Sequence, residues 1–326
     1  MLPFTYSRPR NIGEAATAGA QPGTEFIAGG TDLLPLLKEG VRRANRLVDI
    51  NDLPLGGIRH EAAGVRLGAL TRMSDAADDE RLRRDYPAVV EALLAGASPQ
   101  LRNLATVGGN LLQHTRCLYF HDAAMPCNKR QPGSGCPAWD GQNRGNAILG
   151  GSRACIATHA SDLAVALVAL EARVVLGARH GEREVPLADF HRLPGDTPQI
   201  ETVLEPGEVI TAIFVPAAPY SRRSTYVKLR DRASFEWALT SAAAALDLAG
   251  DTIRQARVAV GGVATKPWRL PKVEEALAGA RADRSIFHAA AELAAQGAEP
   301  RQFNAFKVEL MKRAIVRALA DAGSLA

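Results

Sequence analysis

The chain has 326 residues, 47% of them hydrophobic and 23% charged, an ordinary composition for a globular protein with room for two domains. Its 39 basic and 35 acidic residues leave a formal net charge of +4, which is too small to predict binding to nucleic acid or to an anionic membrane. The N-terminus lacks an apolar signal region, and the longest fully apolar run, Leu163–Leu170, is far shorter than the ~20 residues of a membrane span. We therefore expect no signal peptide and no membrane insertion.

The first two-thirds of the chain alternates short strands with helices. Phe26-Ile27-Ala28 is typical of a strand end, Gly29-Gly30 of a tight turn, and Asp32–Glu39 of a short helix. Further on, Ser161–Leu170 predicts an apolar helix in which Ser161 caps the N-terminus. These patterns continue to about residue 217, where prolines interrupt them.

The remainder of the chain predicts a smaller mixed domain. After a first strand we expect a helix over Ser234–Leu248, a strand over Arg257–Val263 and three helices, the last over Phe303–Ala322. The aromatic residues Trp237, Phe303 and Phe306 are interpreted as core. No internal repeat is evident, and the predicted fold class is α+β.

Two loops carry paired glycines between a strand-like run and a helix-like run. They are Phe26-Ile-Ala-Gly-Gly-Thr-Asp-Leu-Leu34 and Asn103-Leu-Ala-Thr-Val-Gly-Gly-Asn-Leu111. Glycine lets backbone N–H groups approach an anion closely, and a helix N-terminus adds a favourable dipole. Each loop alone is equally compatible with a plain turn, but two of them suggest two walls of one phosphate-bearing cofactor site.

All four cysteines, Cys117, Cys127, Cys136 and Cys155, lie in one segment with the spacing C-x9-C-x8-C-x18-C. The prolines and glycines between them indicate an irregular loop, and a long loop in a compact domain is usually functional or disordered. Four thiolates suit one iron–sulfur cluster. Structural zinc without paired C-x2–4-C knuckles, two disulfides, and free buried thiols remain as alternatives.

Four motifs together resemble a known family, the FAD-binding medium subunits of molybdenum hydroxylases. They are Ala28-Gly-Gly-Thr-Asp-Leu-Leu-Pro35, Ala105-Thr-Val-Gly-Gly-Asn-Leu111, Ser161-Asp-Leu163 and Tyr226-Val-Lys-Leu-Arg230. The similarity runs over essentially the whole chain, in the expected order. It implies a bilobal PCMH-type FAD-binding domain over 1–220, with lobes of about 1–60 and 61–220. A smaller α+β domain over 221–326 would resemble the C-terminal domain of CO dehydrogenase flavoproteins.

The resemblance also implies the cofactor site. Phe26–Leu34 would wrap the FAD pyrophosphate, Asp162 would hydrogen-bond the cofactor, and Lys228 would stabilise the reduced flavin by its charge. The implied FAD-binding residues are Phe26, Ile27, Ala28, Gly29, Gly30, Thr31, Asp32, Leu33, Leu34, Thr106, Gly109, Asn110, Asp162, Ile210 and Lys228. No residue is expected to act as a general acid or base.

The chain departs from most of the family by an insert over residues 114–157, which holds the four cysteines. This insert resembles that of periplasmic aldehyde oxidoreductase FAD subunits, in which it holds a [4Fe–4S] cluster. The resemblance therefore implies that Cys117, Cys127, Cys136 and Cys155 bind such a cluster. Hydroxybenzoyl-CoA reductases also carry a cluster in their FAD subunit, so the insert leaves the substrate open.

The implied function is electron transfer in a molybdenum-dependent aldehyde oxidoreductase. Electrons would arrive from a [2Fe–2S] iron–sulfur subunit, after substrate oxidation on a molybdenum-cofactor catalytic subunit, and leave FAD for an external acceptor. The assembly would be a heterotrimer or its dimer, with no nucleic-acid partner. A hydroxylase with another substrate, a self-contained flavin oxidoreductase and a zinc-loop interaction module are the alternatives. Export on a partner's signal would place the complex in the periplasm, and the alternative is the cytoplasm.

Overall fold

The computed structural model describes residues 1–324, and within them the chain forms three sheets flanked by helices. The first lobe is a parallel three-stranded sheet in the order β1-β3-β2. Its elements are β1 (Thr5–Ser7), α1 (Ile12–Gly19), β2 (Thr24–Ile27), α2 (Leu33–Lys38) and β3 (Arg46–Asp49).

The second lobe contains an antiparallel five-stranded sheet in the order β4-β5-β8-β6-β7. Its strands are β4 (Ile58–Glu61), β5 (Gly64–Gly68), β6 (Arg173–Ala178), β7 (Gly181–Pro186) and β8 (Val209–Pro216). Its helices are α3 (Met73–Asp78), α4 (Glu80–Asp85), α5 (Pro87–Ala95), α6 (Pro99–Arg102), α7 (Val107–Leu111), α8 (Leu118–His121), α9 (Asp162–Ala169) and α10 (Leu187–Phe190). Ser161 caps α9 as predicted, since its Oγ accepts from the Ala164 N–H at 2.9 Å.

The C-terminal part is an antiparallel four-stranded sheet in the order β12-β11-β10-β9, followed by helices. Its strands are β9 (Ser224–Leu229), β10 (Thr240–Ala249), β11 (Thr252–Gly261) and β12 (Trp268–Arg269). Its α-helices are α11 (Pro271–Leu277), α12 (Arg284–Glu292) and α13 (Phe306–Ser324). The three predicted C-terminal helices are present, and no helix within residues 1–324 is long and apolar enough to cross a membrane.

The predicted helix over Ser234–Leu248 is wrong, because this segment contains β10. Ala243 and Ala245 pack into the core around α5 and α9, while Ala242, Ala244 and Leu246 pack into the core around α13. Both faces of the strand are therefore buried, and small side chains let helices approach from either side. Tertiary burial overrides the high helix propensity of alanine here.

Candidate functional site

A cavity of about 450 Å³ lies between the first two lobes. Its walls come from the β2–α2 turn, from the segment around α7, from the start of α9 and from the beginning of β8. Trp237 and Thr265 add a contribution from the C-terminal part. The two glycine-pair loops therefore line one cavity, as their composition suggested.

The first glycine loop fits tightly against the second. A Cβ on Gly29 would lie 2.0 Å from the carbonyl oxygen of Leu104, so only glycine allows the two loops to meet. Gly30 has a φ of +69°, a left-handed conformation that favours glycine. This contact fixes the separation of the two cavity walls.

We expect Gly29→Ala to lose FAD, because the added methyl group must push the two loops apart. A matched control is Gly56→Ala, since a Cβ there would meet nothing within 4 Å. Flavin absorbance per chain after purification, together with the melting temperature, measures the effect. Full flavin content in the Gly29 variant would contradict this role of the loop contact.

The second glycine loop forms the short helix α7. Thr106 caps it, with its Oγ1 accepting from the Gly109 N–H at 3.1 Å. Asn110 then connects this helix to α9, because its Oδ1 accepts from the Ser161 hydroxyl at 2.5 Å. The sequence predicted a glycine turn or loop here, and the glycines instead lie in one helical turn.

Asp32 precedes α2 but does not cap it, since its carboxylate makes no side-chain bond to that helix. It instead contacts the insert: Oδ1 accepts from Arg116 at 2.6 Å, and Oδ2 lies 3.0 Å from Nδ1 of His114. Although burial opposes ionisation, the His114 contact and the Arg116 charge lower the pKa of Asp32 to about 2. Asp32 therefore ties the first glycine loop to the start of the insert.

Asp162, at the start of α9, forms a buried ion pair with Lys228 of β9. The two charged atoms are 2.8 Å apart, and the side chains are 8% and 4% exposed. Asp162 also accepts from the Tyr226 hydroxyl at 2.5 Å, and Lys228 donates to the Ala95 carbonyl at 3.1 Å. Lys228 is therefore not a solvated strand lysine, and it links the second lobe to the C-terminal part.

The cavity lining includes every predicted FAD-binding residue except Leu34 and Lys228. Leu34 packs instead with the apolar cluster around Leu37 and Leu47. Lys228 reaches the site through its ion pair with Asp162. The lining residues among those predicted are Phe26, Ile27, Ala28, Gly29, Gly30, Thr31, Asp32, Leu33, Thr106, Gly109, Asn110, Asp162 and Ile210.

Three aromatic residues that the sequence assigns to the core lie elsewhere in the structure. Trp237, interpreted as core, is 42% exposed and lines the cavity, with the Arg116 guanidinium 4.4 Å from the centre of its ring. Phe303 and Phe306 were also wrongly assigned to the core, since both are exposed. The exposure of these aromatic side chains depends on which distant segments meet in the fold. A local sequence pattern does not contain that information.

His159 and His191 line the same cavity, with ring centres 4.2 Å apart. His159 Nε2 and His191 Nδ1 are buried and have no hydrogen-bond partner among the described residues. Burial lowers the pKa of both groups, that of His191 to about 4, so both rings are neutral at pH 7. These two rings therefore add no charge to this wall of the cavity.

The four cysteines are free thiols that line one small second cavity, with a volume of about 10 Å³. The insert around them is irregular, as predicted, apart from α8 and a short 3₁₀ turn at Pro137–Trp139. Within the described part of the chain, no three or more His, Cys, Asp or Glu side chains are grouped so that they could hold a metal ion. The thiols thus share a cavity without being gathered at one point.

Several N–H groups point at the cysteine sulfurs. Asn146 Nδ2 lies 3.5 Å from Cys117 Sγ, and the Ala157 N–H donates to Cys155 Sγ at 3.4 Å. Burial raises the pKa of the Cys136 thiol, and it raises that of Cys155 to about 12. Thiolates in this cavity therefore need a compensating positive centre.

The two cavities share part of their walls, because Lys129, Cys155 and Ala157 line both. The ammonium of Lys129 lies 2.8 Å from Oε1 of Glu201, a residue that lines the larger cavity. Against the effect of burial, Lys129 and His114 lower the pKa of Glu201. An anionic Glu201 and a cationic Lys129 thus form a neutral pair where the cavities adjoin.

Comparison with known proteins identifies the class. Residues 2–218 match the FAD binding domain in molybdopterin dehydrogenase, and residues 224–322 match the CO dehydrogenase flavoprotein C-terminal domain. The chain therefore belongs to the family of FAD-binding subunits of molybdenum hydroxylases, and it is an oxidoreductase subunit with FAD as its cofactor. The predicted family and fold class are confirmed.

Individual members of this family are similar to the chain over nearly its whole length. The chain is 48% identical to the aldehyde oxidoreductase FAD-binding subunit PaoB of Escherichia coli K12, over 99% of both chains. It is 29% identical to the carbon monoxide dehydrogenase medium chain of Hydrogenophaga pseudoflava, over 92% of this chain and 89% of that one. A solved structure of that organism's carbon monoxide dehydrogenase, which lacks the Mo-pyranopterin moiety, superposes with a TM-score of 0.77 at 27% identity over 100% of both chains.

The residues present fit FAD. Two glycine loops meet at the cavity, and two neutral histidines are among the residues that line it. When bound, FAD supplies a centre that takes up two electrons and releases them singly or together. The chain itself supplies the cavity walls that would position this centre.

Proposed function

We propose that this chain is the electron-transfer subunit of a molybdenum-dependent aldehyde oxidoreductase, carrying FAD and one [4Fe–4S] cluster. The observation that carries the proposal is the shared wall between the flavin cavity and the cavity of four thiols. The identity to an aldehyde oxidoreductase subunit over the whole chain supports the substrate class.

The cysteine insert fits an iron–sulfur cluster by its donor set. Four thiols from one loop line a single cavity, and N–H groups approach the sulfurs of Cys117 and Cys155, as is usual around such clusters. Cys117, Cys127, Cys136 and Cys155 would hold the cluster, which supplies a one-electron centre close to FAD.

The partners follow from this role. We propose a [2Fe–2S] subunit as electron donor and a molybdenum-cofactor subunit where the aldehyde is oxidised, together forming a heterotrimer or its dimer. An external acceptor would take electrons from FAD. We further propose that the complex reaches the periplasm on a partner's signal, and fractionation of cells that express it would test this.

Anaerobic spectroscopy of the isolated chain and of its complex tests the proposed function. We expect an aldehyde to bleach the flavin absorbance only in the complex, because the isolated chain provides no site for substrate oxidation. Bleaching by a small substrate in the isolated chain would identify a self-contained flavin oxidoreductase. Bleaching of the complex by xanthine or hydroxybenzoyl-CoA, but not by aldehydes, would identify a hydroxylase with another substrate.

A further inference from the structure

Lys307, in the first turn of α13, is a fully buried lysine. Its ammonium donates to three backbone carbonyls: Gly145 at 3.0 Å, Asn146 at 3.0 Å and Gly262 at 2.7 Å. Among residues 1–324 no carboxylate pairs with it, and the charge that acts on it is that of Arg144, which has the same sign. This buried charge is hydrogen-bonded but not neutralised.

An uncompensated buried charge is costly, so a lysine in this setting needs an anionic group nearby or loses its proton. Burial, with Arg144, lowers the pKa of Lys307 to about 7. A cluster held by four thiolates carries net negative charge in either oxidation state. Such a group beside Lys307 would keep its ammonium protonated.

One residue separates Lys307 from the cysteine cavity. The carbonyl of Asn146 accepts from Lys307, while the side chain of the same residue lies 3.5 Å from Cys117 Sγ. Asn304, also buried, donates to the carbonyls of Asn146 and Ala147 at 3.3 Å. Two buried donors of the C-terminal part, the Asn304 amide and the Lys307 ammonium, thus hold this stretch of the insert by hydrogen bonds.

We infer that Lys307 is a positioning residue for the cysteine-bound cluster. Its positive charge also raises the reduction potential of that cluster. This inference rests on the proposed [4Fe–4S] cluster. A positive charge close to a cluster favours its reduced state, which carries one more negative charge.

A redox titration of the cluster, followed by the electron paramagnetic resonance of its reduced state, tests the inference. The variants are Lys307→Gln, which can still donate to carbonyls, Lys307→Met, which cannot, and Lys307→Arg, which keeps the charge. The control is Lys312→Gln, because Lys312 lies on the same helix but pairs with Glu292 and Glu309.

We expect the ratio of reduced to oxidised cluster at a fixed potential to fall roughly tenfold in the Gln and Met variants. This fall corresponds to a reduction potential that is lower by about 59 mV for a one-electron couple. The Arg variant and the Lys312 control should keep the wild-type potential. Loss of iron from the neutral variants but not from the Arg variant would also support the role of the charge.

Wild-type potential in Lys307→Gln with full iron content would overturn the inference and leave Lys307 a purely structural role. Equal shifts in the Gln and Arg variants, or loss of iron from all three variants, would overturn it as well. Absence of iron from the wild-type protein is a different result, because it removes the proposed cluster itself.

Discussion

Cys155→Ser is expected to remove most of the iron from the protein and to leave its FAD in place. Cys155 is buried, accepts from the Ala157 N–H and lies in the wall common to both cavities. A cluster that loses one of its four thiolate ligands is held poorly, whereas both glycine loops that line the FAD cavity are unchanged by this substitution. Iron and flavin counts on anaerobically purified variant and wild type measure both effects.

The control for this substitution is Asp140→Asn, which alters an exposed side chain of the same insert and should keep full iron. If Cys155→Ser retains the wild-type iron content, this cysteine is not a ligand and the proposed donor set fails. If it loses iron and FAD together, the two sites depend on each other through the wall that they share.

Lys228→Met is expected to lower the free energy of unfolding by about 3–5 kcal/mol, because it leaves Asp162 charged, buried and without its cation. Asp162 also begins α9 and lines the cavity, so FAD affinity should fall as well. The double variant Asp162→Asn with Lys228→Met should recover much of the loss, since no charge is then left buried.

Denaturant unfolding of the FAD-loaded protein measures these changes. The matched control is Arg281→Met, which breaks an exposed ion pair with Asp251 and should cost less than about 1 kcal/mol. A Lys228 variant as stable as this control would show that the buried pair contributes little. If the double variant is no more stable than Lys228→Met, the loss of unfolding free energy does not come from an unpaired carboxylate at Asp162.

Local chemistry predicted a large part of the fold and of the flavin site. Ser161 caps α9 because a hydroxyl before an apolar helix satisfies its free N–H groups, and this depends on neighbours in sequence alone. Gly29 lies where two loops touch, and glycine pairs mark such close approaches. The lining of one cavity by both glycine loops could therefore be anticipated.

The errors arise where distant segments decide the outcome. The alanine run of β10 has helix propensity, but burial on both faces makes it a central strand. Trp237 faces the cavity because its loop reaches Arg116 of the insert. Lys228 could be matched by resemblance, but its pairing with Asp162 depends on how β9 packs against the second lobe.

The most direct test of the central claim is a metal and flavin count on the anaerobically purified protein, with its visible spectrum before and after dithionite. We predict about one FAD and about four irons per chain, with broad absorbance that bleaches together with the flavin bands. FAD without iron, with zinc or disulfides on the four cysteines, would contradict the cluster and keep the flavoprotein assignment. Folded protein that binds no flavin would contradict the account as a whole.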